Sequence, residues 1–287
     1  MGGLGLAAVA LAGTGYELIQ DGALPGKYTL ARLDGSCGSA PAAPTGRRPA
    51  RHVGTFQSAY RHVPVEMITL VPAETPPGRA LGAVVALHGA GSSAAGLADQ
   101  LAVAMTAAGF TTFAVICVDG GGTYWHRRAN GDDPIGMIVH EVLPRAAAAG
   151  LVTRRIGIAG ESMGGYGALL LAQRMAAHGV AAVAALSPAI FASYPAARSA
   201  SAGAFDSEQD FAQNDVFTGI SALRHVPTWV ACGVDDPFQP EAALFRARLT
   251  GLTGHQVPGG ILQGCHDEAF WLRDLPAALH FIGGHLG

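Results

Sequence analysis

The sequence predicts an α/β fold: a mostly parallel sheet with helices on both faces. Short, continuously apolar runs alternate with longer segments of helical period, the pattern of strands buried on both sides by crossover helices. The chain has 287 residues, 49% of them hydrophobic, enough for one large buried core. The chemically capable side chains follow the apolar runs, at the strand ends where such sheets bind ligands.

The segment Met1–Gly15, "MGGLGLAAVALAGTG", is small and apolar until Glu17 stops it. As a helix it reaches about 22 Å, short of the roughly 30 Å hydrocarbon core. It resembles the hydrophobic region of an export signal, with "ALA" at Ala10–Ala12 as a cleavage site, although basic residues do not precede it. The expectation is an exported or envelope-associated protein, with membrane or envelope contact through this segment; a cytoplasmic protein is the alternative. The "GLGLAA" glycines follow no strand and are not a dinucleotide fingerprint. Gly35–Arg51, with "SAPAAPTGRRPA", reads as a linker. Residues 1–51 are therefore set apart from a folded domain spanning 52–287.

That domain opens with "TFQSAY" and "VPVEMITLVP", whose alternation suits a half-exposed strand pair. "GAVVALHG" follows as a buried strand, and the small residues Ala94–Ala108 form a helix ending at Gly109. "TTFAVICVDG" is strand, "PIGMIVHEVLPRAAAA" helix and "RIGIAG" strand, and a helix then runs from Ser162 to about His178. "VAAVAALSP", "PTWVACG" and "HQVPGGILQG" complete the strands, with helices near Glu241–Thr250 and Asp267–Ile282. An irregular insertion at 188–224 carries Phe191, Tyr194, Phe205, Phe211 and Phe217, and sits where a cap over an acyl pocket belongs.

Composition excludes other classes. Charged residues make up 14% of the chain and the net charge is −3, so no nucleic-acid partner is expected. Cys37, Cys117, Cys232 and Cys265 show no C-x-x-C spacing, and "VHEVLP" at His140 is not a zinc helix; no metal and no cofactor are expected. Cys117 and Cys232 read as buried small hydrophobes; a Cys232–Cys265 bridge is the lesser alternative, open only if their strands are neighbours, and the pairing of the four cysteines is left undecided.

Ser162 lies between Gly160 and Gly164 in "GESMG". With 40 glycines in the chain the pentapeptide alone is weak. Its context is stronger: strand, sharp turn, helix, which projects the serine oxygen and sets it on a positive helix N-terminus. A serine nucleophile needs a base and the base an orienting carboxylate. "GVDDPF" puts Asp235 and Asp236 after one strand, and "GCHDEAFW" puts His266 after the next. The order Ser162, Asp236 or Asp235, His266 is that of α/β-hydrolases. The amides of Met163 and of Ala90, in "LHGAGSS", are placed to form an oxyanion hole, and His88 reads as a residue shaping that loop.

Together "GESMGGYGALLLA", "DGGGTYWHRR", "GDDP…VHEVLP", "GVDDPF" and "CHDEAFW" resemble the α/β-hydrolase esterases of the esterase D type. That group includes S-formylglutathione hydrolases and the secreted mycolyltransferases of actinobacterial cell walls. The resemblance covers about His52 to the C-terminus and implies a serine acyl-enzyme mechanism with Asp236 as the acid. Tyr124 and Trp125 are candidates for a substrate wall, or else are packed beneath neighbouring helices; Arg127 or Arg128 could meet an anionic group. The expected activity is a metal-free serine carboxylesterase acting on a small-molecule or lipid acyl ester. The alternatives are an acyltransferase delivering the acyl chain to a sugar hydroxyl, and a non-catalytic envelope binding module on the same fold.

Overall fold

In the computed structural model, which describes residues 27–75, 78–109 and 112–286, the apolar runs form one eight-stranded sheet. The strands are β1 (Ala50–Gln57), β2 (Pro64–Val71), β3 (Gly82–Leu87), β4 (Phe113–Val118), β5 (Val152–Glu161), β6 (Val180–Leu186), β7 (Thr228–Gly233) and β8 (Gly259–Leu262). Their order across the sheet is β1-β2-β4-β3-β5-β6-β7-β8. β1 and β2 are antiparallel to their neighbours and every later pair is parallel. Burial follows position: β4 and β6 are buried at every residue, whereas edge strand β1 is exposed at nearly every one. The first predicted strand thus begins at Ala50, inside the stretch read as linker, because the antiparallel ladder to β2 extends it.

Helix α1 (Lys27–Asp34) precedes the stretch read as linker, so residues 1–51 hold an ordered element ahead of the sheet. The predicted export segment lies outside the described residues. Among those described, no helix is long and apolar enough to cross a membrane. α2 (Ala94–Ala108) matches its predicted limits because Ser93 caps it, accepting from the Gly96 amide, and Gly109 ends it at φ 66°. α3 (Pro134–Met137) continues through a π turn at Ile138–Val142 into α4 (Leu143–Ala148). α5 (Met163–Met175) follows β5, α6 (Tyr194–Ala200) and α7 (Glu208–Asn214) lie in the insertion, and α8 (Gln239–Thr253) and α9 (Glu268–His285) close the chain. α2 and α9 pack on one face of the sheet; α4, α5, α8 and the insertion pack on the other.

The crossing of β5 and α5 is too close for side chains. A Cβ on Gly160 would lie 2.1 Å from the Gly164 carbonyl oxygen, and one on Gly164 would lie 1.9 Å from that of Leu87. Backbone cannot yield as a side chain does, so Gly164→Ala is expected to cost at least the upper end of about 1–3 kcal/mol. Urea denaturation checks this; an unchanged midpoint would mean that the helix is not held this near β3.

Candidate active site

β5 ends in a turn that only a well-supported backbone adopts: Ser162 has φ 55° and ψ −121°. A non-glycine residue there is strained, and surrounding bonds hold it. Its N–H donates to the Leu186 oxygen at 2.9 Å, and its own oxygen accepts from Tyr166 and Ala189 at 3.0 and 2.9 Å. Ser162 occupies the N-cap position of α5, yet its hydroxyl caps nothing. The Oγ instead lies 2.8 Å from Nε2 of His266.

His266 stands between β8 and α9, and its Nδ1 lies 2.8 Å from Oδ2 of Asp236. A carboxylate can only accept, so Nδ1 carries the hydrogen and Nε2 is left to accept from the Ser162 hydroxyl. The other Asp236 oxygen accepts from the Phe238 amide at 2.8 Å. Of the two candidate carboxylates it is therefore Asp236, 4% exposed, that meets the ring; Asp235 is half-buried, its amide donating to the Gly264 oxygen. The imidazole is held edge-on between Phe238 and Trp271, with ring centres 5.1 and 5.3 Å away. Both aromatics lie in quoted motifs, but nothing in their spacing marked them as neighbours of the ring.

The loop after β3 comes against the same turn. A Cβ on Gly89 would be 3.2 Å from the Ser162 Cβ, so the Ala90 backbone passes beside the serine. The Ser92 amide donates to the Gly89 oxygen, and Gly91 takes φ 76°, as a type II turn requires at its third residue. Met163 is the first residue of α5, where an N–H has no partner within the helix. His88 is fully buried and fixes the loop: Nδ1–H donates to the Gly89 oxygen, and Nε2 accepts from the Gly120 amide.

Of the two readings open for Trp125, the packed one holds. It has 0% exposure and forms no substrate wall. It fills a slot where a Cβ on Gly120 or Gly167 would come within 2.3 and 2.6 Å of its ring, and its indole N–H donates to the His88 oxygen. Tyr124 packs against Tyr166, Phe191 and Phe205, at 5% exposure. Arg128 is also committed: it forks onto Asp206 of the insertion and donates to the carbonyls of Gly203 and Ala204. That hydrogen bonding holds the Asp206 carboxyl down at about 2. Arg127 is exposed.

Cys265 pairs with Cys37 and not with Cys232, while Cys117 and Cys232 are unbridged and buried, as their apolar surroundings suggest. The pairing partner sits 228 residues away in sequence, where strand adjacency offers no guide.

Glu161, next to the serine, is 2% exposed, and one of its oxygens has no partner. Burial, reinforced by the nearby Glu268 charge, pushes its carboxyl up to about 8. Between the unfolded value near 4.5 and about 8, the folded chain holds a proton that the unfolded chain has lost, so stability falls as pH rises through that window. Glu161→Gln is expected to flatten the decline. Denaturation midpoints at pH 5 and 8 test this; equal slopes in both proteins would refute it.

The sheet order, the strained serine turn and the Ser162–His266–Asp236 hydrogen bonds define an α/β-hydrolase fold with a serine-centred site. Residues 61–282 match the family described as "Putative esterase", and the chain belongs to that esterase family: it is an ester hydrolase. A comparison with curated proteins finds no match. Among solved structures, a ferulic acid esterase is similar at 19% identity and TM-score 0.68, covering 84% of this chain and 99% of that one. An S-formylglutathione hydrolase from Agrobacterium tumefaciens is 14% identical, with TM-score 0.68 over 85% of this chain and 98% of its own. Mycobacterium tuberculosis MPT51 (FbpC1) is 16% identical, with TM-score 0.66 over 83% and 99%. At such identities these structures speak to the fold.

Proposed function

We propose that the chain is a serine carboxylesterase working through a Ser162–His266–Asp236 triad and an acyl-enzyme. The observation that carries the reading is the continuous path of two 2.8 Å hydrogen bonds from carboxylate to imidazole to hydroxyl. Ser162 Oγ attacks the ester carbonyl as its proton passes to His266 Nε2, and Asp236 stabilises the resulting imidazolium. The oxyanion is received by the amides of Met163 and Ala90, each worth roughly 3–4 kcal/mol in the transition state. His266 then protonates the departing alcohol oxygen. Water attacks the acyl-enzyme, giving its proton to His266, and the carboxylic acid leaves as Ser162 regains its hydrogen. The substrate is a small-molecule or lipid acyl ester.

The test is trapping. Purified protein is mixed with p-nitrophenyl esters from acetyl to palmitoyl, quenched in acid and digested, and the peptide bearing Ser162 is weighed. An acyl mass on that peptide, decaying in step with release of the free acid, is expected. Turnover with no label on Ser162 at any quench time overturns the acyl-enzyme route. Transfer of the label to an added sugar faster than to water identifies an acyltransferase instead.

A further inference from the structure

His266 follows a short edge strand. β8 has four residues, all at least partly exposed, and lies at the sheet edge with β7 as its sole neighbouring strand. A base that must sit within hydrogen-bond reach of both Ser162 and Asp236 needs firmer support than such an edge provides. The support comes from the segment after α1. Cys37 is disulfide-bonded to Cys265, the residue immediately before His266, and both are buried. Gln263 Nε2 donates to the Ser36 oxygen at 2.6 Å. Arg273, on the second turn of α9, donates to the oxygens of Ser39, Cys37 and Gln263 at 2.9, 3.2 and 3.2 Å, joining the N-terminal segment, the loop and the helix that follows it. Gly38 takes φ 76° with the Arg273 guanidinium 3.1 Å from where its Cβ would be, so the strap is shaped to this arginine.

We infer that Cys37, Cys265 and Arg273 are positioning residues for His266, and that residues 35–39 form a covalent strap that holds the base in register with Ser162. The inference rests on the reading of His266 as the general base. The strap makes no described hydrogen bond to Ser162 or to Asp236; its one link toward the acid turn is the loop itself, whose Gly264 oxygen accepts from the Asp235 amide.

The experiment compares wild type with Cys37→Ser/Cys265→Ser, using a fluorescent fluorophosphonate that labels an activated serine, alongside p-nitrophenyl ester kinetics. Two quantities are separated: the endpoint of labelling, which counts folded sites, and the rate constant, which reports how well the base serves each site. The double variant is expected to label to the wild-type endpoint, with rate constant and kcat both about ten- to a hundredfold lower and KM nearly unchanged. Reduction of wild type should reproduce this: dithiothreitol passes two electrons and two protons to the S–S bond, giving two thiols and cyclic oxidised dithiothreitol. Reoxidation should restore the rate. Wild-type rates at a full endpoint overturn the inference. So does an endpoint that falls with activity while the rate constant holds, because the bridge then only keeps the chain folded. Wild type that hydrolyses esters without labelling at Ser162 refutes the proposed function itself.

Discussion

Ser162→Ala is expected to lower kcat/KM on p-nitrophenyl esters by about 10⁴- to 10⁶-fold while the protein stays folded. The loss is large because the hydroxyl is the reacting atom; the His266 ring and the oxyanion amides that remain sustain only a small residual rate. The fold should hold because the turn is secured by backbone bonds to Leu186, Tyr166 and Ala189, none of which uses the side chain. A second substitution at this position separates strain from chemistry. Alanine at φ 55° keeps the strain of the native turn, whereas glycine relieves it. Ser162→Gly should be as inactive as Ser162→Ala and unfold at a higher urea concentration, by up to about 1–2 kcal/mol after the entropy that glycine adds to the unfolded chain. A Ser162→Ala protein retaining more than about a hundredth of wild-type activity would move the chemistry to another residue. Glycine no more stable than alanine would mean that the turn is not strained.

The serine turn was legible in the sequence because it is local. Gly160, Ser162 and Gly164 fall within five residues, and the strand before and the helix after them are each marked by their own periodicity. Asp236 and His266 were legible for a related reason: each follows an apolar run that becomes a strand, and parallel strands bring their carboxyl ends to one rim. The choice between Asp235 and Asp236 was not readable from the residues alone, since it turns on which carboxylate the loop points inward. The same limit explains the disulfide. Cys37 lies in a stretch of linker composition, and its partner is fixed by how the chain wraps past the edge of β8, which no periodicity records. The residues alone leave Trp125 and Arg128 open between a substrate-facing and a packed role, because a loop at a strand end can face either the ligand or the scaffold. Here the loop serves the scaffold: Trp125 fills the space left by two glycines and Arg128 clamps the insertion.

Asp236→Asn is expected to reduce kcat by about 10⁴-fold with little loss of stability, and the hydrogen bonds give the reason. The native carboxylate accepts from the Phe238 amide at Oδ1 and from His266 at Oδ2, with the buried Cys232 thiol as a further partner. An asparagine has one acceptor and must keep it on the Phe238 amide, which can only donate. Its NH₂ group then faces Nδ1 of His266. That nitrogen must become the acceptor, the ring hydrogen moves to Nε2, and Nε2 can no longer take the serine proton. Each atom retains a partner, so the site stays packed while the tautomer is wrong for the reaction. Asp235→Asn leaves this network untouched and should stay within about threefold of wild type. The decisive comparison is kcat for the two single variants and for Asp236→Ala, which removes the imposed tautomer along with the charge. If Asp235→Asn is the crippled protein, the acid has been assigned to the wrong residue. If Asp236→Ala is far more active than Asp236→Asn, tautomer control outweighs charge stabilisation at this site; equal activities would give the larger share to the charge.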